Sequence, residues 1–171
     1  MFLLAQISRI ISAFFGIISD KSSNRKQIYL FNSIANIFSG IQYYLLNAIT
    51  GAISCIVAIF RNIIFYKYNK KVPLYVLIIY IIALILLNSK SYVNYFAVIP
   101  VLLVIVYSVS LYINKVKVIK YAILITDLLE IIYDVYYKAY AGIAVCLIDA
   151  IIVIISLIKD KDVIQKEDKN I

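Results

Sequence analysis

Apolar residues fill the chain in seven runs, at residues 2–19, 28–46, 50–66, 72–87, 92–113, 118–137 and 140–157. Each run is close to the roughly 17–25 residues that a helix needs to cross the hydrocarbon core of a bilayer. The shorter ones, such as 72–87, fit by standing upright or by thinning the bilayer around them. None shows the apolar–polar alternation over about 10 residues that marks a barrel strand. The connections are only a few residues long, so neighbouring helices must run antiparallel. The pattern predicts an all-α, polytopic integral membrane protein with seven transmembrane helices.

Composition supports a bilayer as the solvent. The chain has 171 residues, 64% of them hydrophobic, and a mean hydropathy of +0.96. Soluble domains are about half apolar, and a globule this small has no interior large enough for the remainder. The net charge of +8 would suggest nucleic acid in a soluble protein. Here the basic residues sit between the apolar runs, as membrane topology requires, and no nucleic-acid partner is expected.

Alternate connections hold nearly all of these charges. Lys21, Arg25 and Lys26, then Lys67, Lys70 and Lys71, then Lys115, Lys117 and Lys120, and finally Lys159, Lys161, Lys166 and Lys169 fall on one side, 13 in all. The other side has 2, Lys90 and Lys138. The positive-inside rule places the N-terminus outside and the C-terminus in the cytoplasm. The first run lacks a basic n-region and a cleavage site and is expected to remain as a helix. Residues 159–171 are expected to form a disordered cytoplasmic tail.

Seven helices divide as three, one and three. This gives a first bundle at 1–66, a linker helix at 67–91 and a second bundle at 92–158. Sliding the chain by 91 residues pairs Asn36 with Asp127, Gly51 with Gly142 and Cys55 with Cys146. Parallel repeats of this kind occur in transporters.

The candidate chemistry lies in charges placed well inside the apolar runs. The first run holds Arg9, the third Arg61, the sixth Asp127, Glu130 and Asp134, and the seventh Asp149. A charge at that depth is expensive unless it faces the bundle interior or a water-filled cavity. Asp127, Glu130 and Asp134 stand at i, i+3 and i+7, on one helix face. Two readings stand side by side. In one, Arg9 and Arg61 neutralise two of the acids, and the network fixes the helix order. In the other, the charges line a midplane cavity that binds a solute or relays protons.

Uncharged polar groups gather at similar depth: Gln6, Asn32, Asn36, Ser39, Gln42, Ser54 and Asn62. They can also join helices by hydrogen bonds. Pro100 is expected to free a backbone carbonyl and kink the fifth helix. Cys55 and Cys146, in different runs, are expected to be small apolar filler. With no histidine in the chain and no phosphate-binding or nucleophile motif, no metal, no cofactor and no enzymatic activity are expected.

Three stretches carry a family resemblance: LAQ at residues 4–6, KQ at residues 26–27, and ITGAISCIVAIFRNI at residues 49–63, with its Gly-Ala step followed by Arg61. Through them the chain resembles the YgjV-like family of small bacterial inner-membrane proteins. That family is distantly similar to seven-helix, three-one-three carriers, among them the SWEET sugar carriers and the PnuC-type vitamin-precursor carriers. The resemblance implies the bacterial cytoplasmic membrane as location. It also implies a facilitative or proton-linked carrier that binds a small hydrophilic solute between the two triplets, with polar residues of the third and seventh helices.

The positions suited to that role are Asn62 and Asp149, near Arg61, with Asn36 at mid-depth. Asp127, Glu130, Asp134 and Arg9 are the candidates for proton relay or ion pairing. SWEET-type halves use prolines as hinges in several helices, whereas this chain has only Pro100 within the corresponding segments. The alternative is a non-transporting membrane assembly or regulatory subunit whose ion pairs are structural. The partners expected are the bilayer, the solute and, as an option, further copies of the chain.

Overall fold

A computed structural model describes residues 1–21, 25–68, 72–89, 95–113 and 116–168. The described residues form seven α-helices: α1 (Phe2–Lys21), α2 (Arg25–Leu45), α3 (Ile49–Tyr68), α4 (Leu74–Ser89), α5 (Ile99–Ile113), α6 (Val116–Tyr136) and α7 (Tyr140–Asp168). A single 3-10 turn, Tyr95–Val98, leads into α5. The helices follow the seven apolar runs in order. Phe2–Ser19, Ile49–Tyr68 and Tyr95–Ile113 are long and apolar enough to cross a membrane by length and composition. Leu74–Ser89 and Tyr140–Ile155 are shorter apolar helices.

Six helices pack as a ring. α1 packs on α2, α2 on α3, α3 on α5, α5 on α6, α6 on α7, and α7 returns to α1. α4 packs on α3 and α5, where Leu77, Tyr80 and Leu84 meet Val57 and Val101 in one buried cluster. The α1–α2 seam is built from small residues that let the backbones approach closely. Ser8 donates to the Phe38 carbonyl at 2.9 Å, Ser12 to the Ala35 carbonyl at 2.8 Å and Ser19 to the Ile28 carbonyl at 3.0 Å. Large apolar side chains face outward on every helix. Ile10, Phe60, Ile79, Leu86, Leu128 and Ile151 are each more than half exposed.

The α2–α3 and α6–α7 connections are the same turn. Asn47 has φ 58° and Lys138 φ 56°. In the first, Ala48 N–H bonds to the Tyr43 carbonyl and Asn47 N–H to the Tyr44 carbonyl. In the second, Ala139 N–H bonds to the Asp134 carbonyl and Lys138 N–H to the Val135 carbonyl. This is the Schellman pattern, in which a left-handed residue lets two N–H groups turn back onto the last orphan carbonyls of a helix. A shift of 91 residues carries each bond of one turn onto its equivalent in the other.

The helices that follow these turns are capped from across the ring. The Gly51 N–H at the start of α3 donates to the Tyr133 hydroxyl of α6 at 3.1 Å. The Ala141 N–H at the start of α7 donates to Gln6 Oε1 of α1 at 2.7 Å. Both are orphan donors of a first helical turn. The first cap joins α3 to α6, and the second joins α7 to α1.

Two local expectations change. Pro100 does not kink a helix, because the 3-10 turn ends at Val98 and Pro100 falls in the first turn of α5. There a missing N–H removes no helical bond. α7 also continues through Asp168, where a disordered tail was expected from Lys159. Residues 159–168 contain neither glycine nor proline, so no residue in this stretch breaks the helix. Residues 169–171 lie outside the described residues, as do Lys70, Lys71, Lys90 and Lys115 of the charge count.

Candidate functional site

The ring surrounds a half-open cavity of about 690 Å³ that all six of its helices line. No residue of α4 reaches it. Its walls repeat at the same interval as the turns. Asn36 and Asp127, Ser39 and Glu130, Ala58 and Asp149, and Arg61 and Ile152 are pairs separated by 91 residues, and every member lines the cavity. The α6–α7 wall therefore carries acids where the α2–α3 wall carries Asn, Ser and Ala.

Arg9 occupies one level of this cavity and joins four helices. From α1, its Nη2 donates to Glu130 Oε1 of α6 at 2.7 Å and lies 3.6 Å from Cys146 Sγ of α7. Its Nη1 donates to Ser39 Oγ of α2 at 2.9 Å, and Ser12 lies 2.7 Å from the same hydroxyl. Tyr43 extends the network. Its hydroxyl donates to Glu130 Oε1 at 2.8 Å, and Asp134 Oδ1 lies 3.1 Å away. Asp134 is fully buried under the α6–α7 turn and does not line the cavity. It sits against Gly142, where any side chain would strike its carboxylate.

Arg61 is held differently. It is 2% exposed, and its hydrogen-bond partners are neutral. Nε and Nη2 donate to Asn62 Oδ1 at 3.2 and 2.9 Å, and Nη1 donates to Ser108 Oγ at 3.2 Å. The guanidinium also lies over the Tyr107 ring, 4.9 Å from its centroid. Asn62 in turn donates to Asn32 Oδ1 at 2.8 Å, which also accepts from Asn36 Nδ2 at 2.9 Å. Asn32 Oδ1 thus accepts from both amides, and Asn62, held by Asn32, presents its own oxygen to the arginine. Among the described residues no acid pairs with Arg61, and Asp149 makes no hydrogen bond or ion pair.

The expected site residues separate into two layers. Arg9, Asn36, Arg61, Asp127, Glu130 and Asp149 line the cavity, whereas Asn62 and Asp134 stand behind the wall. Asn62 carries Arg61, and Asp134 supports the turn. Of the two arginines expected to neutralise acids, Arg9 does so and Arg61 does not. Tyr43, Tyr107 and Ser108 were not singled out by the sequence, and Lys120 was counted only among the charges of the connections, although Tyr43, Tyr107 and Lys120 line the cavity and Tyr43 and Ser108 hold its charges. Tyr43 had a signal: Asn36, Ser39 and Tyr43 repeat the spacing of Asp127, Glu130 and Asp134, shifted by 91.

No metal was expected, and the structure brings Asp127, Glu130 and Cys146 together with ligand atoms within 4.8 Å of one another. Arg9 already supplies positive charge there, through its contacts with Glu130 and Cys146.

Comparison with known proteins adds one match. The model of the Imp-YgjV family, described as a bacterial inner membrane protein, matches residues 3–162. No curated protein and no solved structure matches the chain.

Proposed function

We propose that this chain, which belongs to the Imp-YgjV family of bacterial inner membrane proteins, is a carrier for a small hydrophilic solute, facilitative or proton-linked, and not an enzyme. In this reading all seven helices span the membrane. α1–α3 and α5–α7 are two like arms, joined by α4, that rock about the cavity. The N-terminus is outside and the C-terminus in the cytoplasm, as the lysine distribution favours.

The observation that carries the reading is the cavity itself. Charged side chains at membrane depth are rarely kept except along a substrate or ion pathway, and here they line one chamber between the arms. The repeat of the turns and of the wall positions at 91 residues also supports it, because carriers of this type bind where two repeats meet. Arg9 and Glu130, bonded across the arms, form a contact that rocking would remake.

A second reading draws on the same pair. A contact from Arg9 to α2, α6 and α7 is also what a static bundle needs to fix helix order, so a non-transporting membrane subunit is the alternative. Reconstitution into proteoliposomes separates the two. Uptake of sugars, nucleosides, amino acids and organic acids is measured for the wild type and for Asp149→Asn. A carrier shows saturable uptake of one class, lost in the variant while its unfolding midpoint holds. If folded, reconstituted protein moves no class and Asp149→Asn lowers the midpoint, the structural reading replaces the carrier.

A further inference from the structure

We infer that the cavity takes a small zwitterion, a solute carrying a carboxylate and an ammonium group, with the carboxylate on Arg61 and the ammonium on Asp149. The inference rests on the carrier reading of the cavity and names the chemical class of its solute.

Three observations lead to it. The first is the state of Arg61. A guanidinium has five N–H donors. Arg61 directs three of them to neutral oxygens, which leaves two donors and a whole charge without a partner acid. An arginine held rigidly by neutral acceptors keeps its planar fork ready for a carboxylate. Asn62, itself held by Asn32, orients it without neutralising it.

The second is Asp149. It lines the same cavity and makes no hydrogen bond or ion pair among the described residues. Counted from the two like turns, it stands at the position of Ala58, one helical turn nearer the turns than Arg61. The two opposite charges are therefore offset along the pathway and do not pair with each other. A solute bearing both charges on a short carbon skeleton meets that offset.

The third is the charge balance of the wall. Arg9, Arg61 and Lys120 face Asp127, Glu130 and Asp149, three cations against three acids. An anion or a cation alone would leave the chamber with one uncompensated charge, which is costly in a low-dielectric environment. A net-neutral sugar would satisfy the balance but would leave Arg61 without a carboxylate and Asp149 with only the longer-range field of Arg9. A zwitterion satisfies both conditions.

The test uses the full-length protein purified in detergent. Its unfolding midpoint is followed with glycine, β-alanine, 4-aminobutyrate, butyrate, butylamine and glucose, because a ligand that binds only the folded state raises the midpoint. At least one of the three amino acids should raise it in a saturable way, while butyrate and butylamine each bind at least about tenfold more weakly. Arg61→Met and Asp149→Asn should each weaken the amino acid about tenfold or more. Arg61→Lys, which keeps the charge without the fork, should retain part of the effect, and this shows that the loss is not a folding defect.

Butyrate binding as tightly as the amino acid, with Asp149→Asn harmless, would overturn the inference in favour of a simple anion site. Stabilisation by glucose alone, or by no member of the set, would overturn it too. The carrier reading fails separately. If the amino acid binds as described but proteoliposomes show no exchange of it, the zwitterion site stands and transport does not.

Discussion

Asn47 and Lys138, 91 residues apart, close two different helix pairs with one backbone geometry, φ 58° and 56°. Asparagine tolerates the left-handed region, whereas an ordinary side chain such as lysine is strained there by about 1 kcal/mol. Lys138 is exposed, so its replacement tests the backbone alone. Lys138→Gly should stabilise the protein by roughly 0.5–1 kcal/mol, and Asn47→Gly should change little. Thermal unfolding of the two variants side by side checks the difference. A fall in the midpoint for Lys138→Gly would show that the turn is not strained as described.

The helix starts that follow these turns allow no side chain at their glycines. A Cβ at Gly51 would lie 2.9 Å from Tyr43 Cγ and 3.0 Å from the Tyr133 hydroxyl, and one at Gly142 would meet the Asp134 carboxylate. Tyr43 and Asp134 are equivalent under the same shift, so the two clashes correspond. Overpacking of this kind costs about 1–3 kcal/mol. Gly142→Ala should destabilise by at least that much, and Asp134→Ala added to it should recover part of the loss. A double-mutant cycle on unfolding free energies measures the recovery, and strict additivity would refute the contact.

The hydropathy pattern was enough to place all seven helices, because each apolar run is one helix and the connections are too short for anything else. The charged residues were legible as a set, since Arg9, Arg61 and Asp149 stand out in apolar surroundings. Their partners were not. Arg9 and Arg61 are alike in sequence, yet one meets Glu130 and the other meets Asn62 and Ser108. That choice depends on how the ring closes, which no local pattern encodes. Pro100 misled for a similar reason: its effect depends on whether the helix starts before it or at it, and the 3-10 turn at Tyr95–Val98 decides that.

Arg9 and Glu130 should behave as one unit. Removing one partner of a buried pair leaves the other charge stranded, which costs about 3–5 kcal/mol. Arg9→Met and Glu130→Gln should each lower the unfolding midpoint strongly. The double variant Arg9→Met/Glu130→Leu should recover much of the loss, because apolar residues of similar volume replace a buried pair at little cost. If the double variant is as unstable as the sum of the singles, the 2.7 Å contact does not couple the two residues.

Arg61 should show the opposite order of effects. Its charge is buried against neutral acceptors only, so the charge itself lowers stability. Replacing it by Met removes the desolvated cation and leaves Asn62 Oδ1 as the chief unsatisfied acceptor. An unpaired neutral acceptor costs about 1–3 kcal/mol, and a stranded charge costs more. The midpoint of Arg61→Met should therefore stay within about 1 kcal/mol of the wild type or rise. Asn62→Ala removes the oxygen that accepts from both Nε and Nη2 and keeps the charge, so it should cost about 2–3 kcal/mol. Losing the support should thus harm the fold more than losing the arginine. Unfolding midpoints of the two variants decide the matter. If Arg61→Met is the less stable of the two, then Arg61 holds the bundle together as Arg9 does, and its place on the cavity wall has no need of a solute to account for it.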